Sequence, residues 1–237
     1  MKIRLFLNEK LVDEARVSLD TATYNYLVNV LRSHDGDEVF VFNSVDGEFR
    51  ANIEFVGKKQ ACLIVREKVA EAEPLPDVEL LCPLLKKDTV DLTVQKATEL
   101  GVGRIRLVQT DRTNAARVNV QRLCLIAKEA AEQSRRVNVP QIDDVNKLSK
   151  VLENWSSDRV LFFLDETGGG SPIAEVLSEH KKKSVQAAFL VGPEGGFSPA
   201  EIEYLYSLSF AKGIALDKHI LRAETAACVA LALWKYI

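Results

Sequence analysis

The sequence predicts an α/β protein in two parts: a small strand-rich domain over residues 1–72 and a larger one over 73–237 built on a mostly parallel sheet. Three features predict it. From Asp77 onward, short apolar runs alternate with segments of helical period, the pattern of strands laid parallel by helical crossovers. Before that point, apolar runs of strand length follow one another through tight turns. Between the two lies Glu71-Ala-Glu-Pro-Leu-Pro76, whose two prolines and two acids interrupt helix and central strand alike, placing the boundary near residue 72.

In the first domain, residues 3–7 form a short apolar run and Tyr24, Leu27 and Leu31 lie at helical spacing. Residues 38–43, 48–56 and 60–69 have strand character, and Asp46-Gly47 between the first two is a hairpin signal. Strands of this length joined by tight turns predict a small barrel.

In the second domain, 78–85 reads as a buried strand. Val90, Val94, Ala97 and Leu100 make a helix face stopped by Gly101, and 104–108 is a strand. Asn119 caps a helix whose face (Val120, Leu123, Cys124, Ala127, Ala130, Ala131, Ser134) keeps its period for four turns, and Pro140 ends the region. Residues 159–164 form a further strand, and 172–177 begin a helix. Lys181-Lys-Lys183 reads as a solvated loop before the next buried strand.

Two loops near the carboxyl end organise the rest: Leu190-Val-Gly-Pro-Glu-Gly-Gly-Phe-Ser198 and Leu216-Asp-Lys-His-Ile-Leu-Arg-Ala-Glu-Thr-Ala226. Each follows an apolar run of strand length (186–191 and 213–216) and leads into a helix. The first carries its helix start in full. Ser198 can cap, Pro199 suits the first helical position, Glu201 completes a capping box, and Phe197 with Ile202 is spaced as a hydrophobic staple. Its glycines permit a sharp turn and close approach to a ligand, although an ordinary strand-to-helix turn satisfies the same pattern. No Lys-Ser or Lys-Thr follows, and the G-x-G-x-x-G spacing is absent, so neither phosphate loop matches. Glu194 would repel a pyrophosphate, which points to a cationic or hydroxyl-rich ligand. In the second loop, Arg222 and Glu224 open a helix that is apolar on most sides. Charges so close to a core need partners, either a ligand or a structural ion pair such as Arg222 with Glu194.

The chain has 237 residues, 47% of them hydrophobic, enough for packed cores. No stretch approaches the length of a membrane span, and the opening apolar run is too short for a signal peptide, so the expected location is the cytoplasm. The four cysteines lack metal-ligand spacing and read as reduced core residues, and no metal site is expected. The net charge of −3 hides an asymmetry: residues 86–136 carry eleven Lys or Arg against six Asp or Glu, so the middle of the chain is its basic part.

Gly192-Pro-Glu-Gly-Gly-Phe-Ser, followed about thirty residues later by Ile220-Leu-Arg-Ala-Glu-Thr-Ala, resembles the RsmE family, the 16S ribosomal RNA uridine N3 methyltransferases of the SPOUT superfamily. Further matches are Asn29-Val-Leu-Arg32 with Asp35-Gly36, Lys86-Lys87-Asp88, Gln95 to Gly101, Asp111-Arg112-Thr113, and Ala131 to Arg136 with Val139-Pro140. The resemblance implies a PUA-like β-barrel domain, a SPOUT-type α/β domain with a C-terminal trefoil knot, and a homodimer with its site at the interface. It implies S-adenosylmethionine as methyl donor, held by Leu164, Leu190, Gly192, Glu194, Gly195, Gly196, Leu216, Ile220, Leu221, Ala223 and Thr225. The RNA side would comprise Arg32, Lys86, Lys96, Arg112, Gln133 and Arg136, with 16S rRNA or the 30S subunit as partner. Two of these have plainer readings: Arg32 as a helix-end cation, and Lys96 as an i,i+3 surface partner of Glu99. Leu216-Asp217-Lys218-His219 stands where the family reads leucine, glycine, proline, arginine, so Asp217, Lys218 and His219 depart from it.

The implied chemistry requires that the weakly acidic N3 proton leave before the nitrogen can attack. The site then needs a group that takes the proton, Glu224 or Glu132, and a cation, Arg222, to stabilise charge developing on the flanking oxygens. N3 lies on the Watson–Crick edge, so the base must be splayed or flipped. The alternatives are another SPOUT enzyme acting on a ribose oxygen or a transfer RNA base, and a ribosome-binding relative without catalysis.

Overall fold

The computed structural model describes residues 3–57, 60–113, 118–216 and 219–237. The chain divides into two compact units, Met1–Leu75 with Ala131–Val139, and Pro76–Ala130 with Pro140–Ile237. The sequence-derived cut at residue 72 is linear, whereas 131–139 group with the first unit.

The first unit is built on a five-stranded sheet in the order β1-β3-β4-β5-β2, formed by β1 (Arg4–Phe6), β2 (Arg16–Ser18), β3 (Glu38–Asn43), β4 (Gly47–Gly57) and β5 (Gln60–Ala70). β1 runs parallel to β3 and the other pairs are antiparallel. Alternation along β3 to β5 buries Val39, Val41, Ala51, Ile53, Leu63 and Val65 together. The anticipated hairpin closes through Asn43, whose side-chain oxygen accepts from the amides of Val45 and Asp46. The helix α1 (Thr21–Asn25), capped by Asp20, continues as a π-helical turn over Tyr26–Val30. β2 was not anticipated, because three residues are too few to show a period. Arg4 ties residues 131–136 to this unit. Its guanidinium donates to the carbonyls of Ala131, Glu132 and Arg136 and to the Glu48 carboxylate, and it lies 4.3 Å from the Phe42 ring centre.

The second unit alternates strand and helix: β6 (Val78–Pro83), α2 (Lys87–Glu99), β7 (Arg104–Gln109), α3 (Val120–Ser134), β8 (Gln141–Lys147), α4 (Leu148–Glu153), β9 (Arg159–Leu164), β10 (Ser171–Pro172), α5 (Ile173–Lys182), β11 (Gln186–Leu190), α6 (Pro199–Ser207), β12 (Ala211–Ala215) and α7 (Ala223–Tyr236). The seven strands pair in the order β10-β12-β9-β11-β6-β7-β8, every pair parallel. β6 is buried throughout, and β9 and β11 nearly so, as strands covered on both faces must be. Because β12, β9, β11 and β6 are neighbours and parallel, the turns leaving their carboxyl ends emerge side by side. That edge of an open α/β sheet is where ligands bind.

Two expectations are overturned, and one stretch without an expectation takes on structure. Residues 141–153, passed over in the sequence, form β8 and α4. Lys181 and Lys182 end α5 rather than occupying a loop, and the Lys181 ammonium lies 4.5 Å from the Trp234 ring centre and donates to the Trp234 carbonyl. Of the cysteines, Cys62 and Cys82 are buried but Cys124 is exposed, since it lies one residue round the helix from the buried line of Leu123 and Ala127. Among the described residues no helix is long and apolar enough to cross a membrane, and no group of three or more His, Cys, Asp or Glu could hold a metal ion.

Candidate functional site

The four adjacent strand ends and the start of α7 line one cavity of about 560 Å³, within the range of small-molecule sites. β6 delivers Lys86 and Thr89, β9 the turn Leu164–Gly168, β11 the turn Val191–Glu194 with Phe197, and β12 the stretch from Ile214 to Leu216. The stretch His219 to Glu224 with Ala226 completes it. Asp217 and Lys218 lie outside the described residues.

The glycine turn is held at both ends. Ser198 accepts from the Glu201 amide at 3.1 Å while the Glu201 carboxylate accepts from the Ser198 amide at 2.8 Å, so the anticipated capping box is present. Phe197 is buried in the cluster that Ile202 packs against. The turn after β7, which the sequence did not connect to this loop, grips it from outside. The Ser198 hydroxyl donates to the Asp111 carboxylate, the Asp111 amide donates to Glu201, and Arg112 donates to the Gly195 carbonyl at 3.0 Å. Gly196 has φ +67°, and a Cβ there would fall 1.9 Å from a Glu166 carboxylate oxygen, so both its conformation and its contact with Glu166 exclude a side chain.

The cavity's charges are mixed. Lys86 and Arg222 occupy the N-cap positions of α2 and α7, and neither helix has a side-chain cap, so two cations stand where backbone amides already concentrate positive potential. Asp165, Glu166, Glu194 and Glu224 supply the opposite sign. Among the described residues no ion pair joins Arg222 to Glu194 or Glu224, so the structural ion pair weighed above does not form.

Of the anticipated site residues, Lys86, Leu164, Gly192, Glu194, Leu216, Ile220, Leu221, Arg222, Ala223 and Glu224 line this cavity. Leu190 ends β11 one residue before the lining Val191, Gly195 and Gly196 shape the turn, and Thr225 is exposed on α7 without lining it. Lys96 is on α2 with its ammonium 2.9 Å from both Glu99 oxygens, the surface pair read from spacing. Arg32, Glu132, Gln133 and Arg136 belong to the first unit. There the Glu132 carboxylate accepts from the Phe6 amide at 2.9 Å. Burial pushes the Arg136 guanidinium down to about 10 against the opposing effect of Glu73, which leaves it charged at neutral pH, and it donates to Asn138. Missed from the sequence were Asp165, Glu166 and Thr167, although Asp165-Glu-Thr-Gly-Gly-Gly170 directly after a strand was a signal of the same kind as the glycine turn that was read.

A parallel sheet whose strand ends gather a glycine turn and two helix starts without side-chain caps round a small-molecule cavity is the architecture of an α/β ligand-binding protein, and the family models give its class. Residues 71–235 match the family model described as RNA methyltransferase domain, and residues 19–66 match that of the RNA methyltransferase PUA domain. The chain belongs to the ribosomal RNA small subunit methyltransferase E family. It is 30% identical over 230 residues to the protein of that name from Rickettsia conorii, covering 97% of this chain and 93% of that one. It is 33% identical over 238 residues to the one from Synechocystis sp., covering 98% and 77%. The crystal structure of a ribosomal RNA small subunit methyltransferase E from Neisseria gonorrhoeae, bound to S-adenosyl methionine, superposes with a TM-score of 0.85 at 27% identity, over 98% of this chain and 96% of that one.

Proposed function

We propose that this chain methylates N3 of a uridine in 16S ribosomal RNA, with S-adenosylmethionine as donor. The observation that carries the reading is the convergence of the two carboxyl-terminal loops on one cavity that also holds Arg222 and Glu224. The lining fits the donor: apolar walls from Leu164, Leu216, Ile220 and Leu221 suit its apolar parts, and exposed carboxylates at Glu166 and Glu194 suit a ligand of positive charge. When bound, the donor supplies a methyl group on a positively charged sulfur.

The chain's own residues do the rest. Arg222 stands at the amino end of α7, so its charge and the helix amides act in the same direction on an anionic acceptor. Uracil N3 becomes nucleophilic only as its proton leaves and charge spreads to O2 and O4, and Arg222 stabilises that charge. Glu224, half-buried in the first turn of α7, takes the proton. Glu132 is the weaker candidate, since its carboxylate already accepts from the Phe6 amide. Holding donor and base in line supplies much of the remaining acceleration. Lys86, Arg32, Arg112, Gln133 and Arg136 contact the RNA, whose target base is flipped. Lys96, committed to Glu99, contributes less.

The same reading takes the carboxyl-terminal loops as a trefoil knot, the working form as a cytoplasmic homodimer, and 16S rRNA or the 30S subunit as partner. The test offers naked 16S RNA and intact 30S particles separately with labelled donor, then maps the labelled nucleotide. Label on uridine N3 of 16S RNA supports the reading. Label on a ribose, or on transfer RNA offered as a third substrate, would replace it with another activity of the same superfamily.

A further inference from the structure

Asp165 is the first residue of the turn that follows β9. Its side chain lines the cavity, yet the residue is only 4% exposed. One carboxylate oxygen accepts from both the amide and the hydroxyl of Thr167, at 2.8 and 2.7 Å. The other accepts from the Tyr206 phenol at 2.6 Å, and the Gly169 amide adds a fourth donor. Four donors fill the acceptor sites of a carboxylate, so Asp165 has little capacity left for a ligand. What it does is hold the turn.

The tyrosine that reaches it comes from α6, the helix that the glycine turn leads into. Its ring meets Phe163 of β9 edge-on at 5.0 Å between centres. Its hydroxyl would sit 2.5 Å from a Cβ at Gly213 of β12 and 2.9 Å from one at Gly169, so both strand and turn have given up side chains to admit it. One phenol thus touches the turn after β9, the strand before the second loop, and the helix after the first. The turn in question carries Glu166, the carboxylate pressed against Gly196 in the cavity wall.

We propose that Tyr206, acting through Asp165, is a positioning residue for the donor site: it fixes the turn that presents Glu166 and so sets the shape and charge of the wall that receives a cationic ligand. This rests on the reading of the cavity as an S-adenosylmethionine site. Burial pushes the Asp165 carboxyl up, but the bonds from Thr167, Tyr206 and Gly169 outweigh it and hold the group below its ordinary range. Removing the phenol leaves the burial and deletes one of the opposing bonds, so the carboxyl must rise. Once protonated, it loses acceptor capacity and the turn loosens. Donor affinity in such a variant should therefore fall as pH falls, more steeply than in the unaltered protein.

Other titratable groups stay in place. Tyr206 and Glu166 are those beside Asp165, while Lys212 on β12 acts on Glu179 instead. Lys86, Glu194, His219, Arg222 and Glu224 line the same cavity and are present in both proteins, so the difference between the two profiles reports what the lost phenol changes.

The experiment compares Tyr206→Phe with the unaltered protein by calorimetry with S-adenosylmethionine from about pH 7 down to about pH 4, where a carboxyl of ordinary strength begins to protonate. Alongside it, kcat and KM for the donor are measured on the RNA substrate. Expected are a donor Kd raised several-fold at the lowest pH and less at neutral pH, and at neutral pH a donor KM that rises with kcat at saturating donor within about twofold. Thr167→Val, which removes another donor to Asp165 from a different element, should shift the profile the same way. Profiles for both variants that superpose on the unaltered one overturn the inference while leaving the site assignment intact. No heat with the unaltered protein overturns both.

Discussion

The Arg112 guanidinium donates to the Gly195 carbonyl at 3.0 Å, joining the turn after β7 to a loop eighty-three residues further along the chain. A glycine turn has little side-chain packing of its own, so its shape depends on such outside contacts. Gly195 also lies close against Arg112: a Cβ there would sit 3.5 Å from that of Arg112.

Arg112→Ala should therefore act on the donor more than on stability. The expected result is a donor KM raised several-fold with an unfolding free energy changed by about 1 kcal/mol or less, the range for one exposed hydrogen bond. Steady-state kinetics beside a urea melt would show it. A lower kcat with an unchanged donor KM would instead place Arg112 on the RNA side alone.

Glu79 on β6 is 7% exposed, and its carboxylate accepts from Arg106 at 2.6 Å and lies 3.4 Å from Arg159. Asp143 and Asp77 share those two arginines, forming a chain of charge across one end of the sheet. Glu79→Ala would leave two largely buried guanidinium groups short of a counter-charge. Their remaining partners soften the loss, which should be about 3 kcal/mol. Urea unfolding measures it, and a change under about 1 kcal/mol would show that Asp143 and Asp77 suffice. This network also accounts for much of the basic excess read from residues 86–136: Arg104, Arg106 and Arg122 face Asp143, Glu79 and Asp91, and are spent inside the fold.

What could be read from the sequence was what local chemistry writes down. The α6 capping box occupies four consecutive residues, and Asn119 caps α3 from three residues away, its side-chain oxygen accepting from the Arg122 amide. The fully buried strands announced themselves as apolar runs. β8 did not, because Gln-Ile-Asp-Asp-Val-Asn-Lys at the edge of the sheet is mostly polar and only half-buried. The grouping of residues 131–139 with the first unit depends on Arg4, more than a hundred residues away. Tyr206 and Asp165 are forty-one residues apart, and nothing in either neighbourhood marks them as partners.

The cysteines divide by environment. Cys82 is fully buried in β6, and burial pushes its thiol up to about 12, so at neutral pH almost none of it is thiolate. Cys62 is buried as well, and the Arg16 guanidinium donates to its sulfur. Cys124 is exposed on α3, although burial and then Asp144 raise its thiol too. A disulfide reagent at mild alkaline pH should therefore titrate Cys124 first, Cys228 more slowly, and Cys62 and Cys82 only on unfolding. Peptide mapping of the labelled protein decides it. Early labelling of Cys82 would mean that the centre of the sheet opens without global unfolding.

Arg222 carries the strongest expectation. Its side chain is exposed at the first turn of α7, it forms no ion pair among the described residues, and its backbone carbonyl, which any residue supplies, closes the helix by accepting from Ala226 at 2.8 Å. Arg222→Ala should thus leave the melting temperature almost unchanged while removing the cation best placed to stabilise an anionic uracil. Losing one such donor typically costs about a hundredfold to a thousandfold in kcat. Lysine restores charge without the planar fork of donors, so Arg222→Lys should recover only part of the rate. The pH dependence separates two explanations of any loss. If Arg222 lowers the cost of deprotonating the base, the variant's rate should climb with pH into the alkaline range, where solvent begins to ionise uracil unaided. A uniformly low rate at every pH, with donor affinity reduced in parallel, would show that the arginine holds the ligand instead.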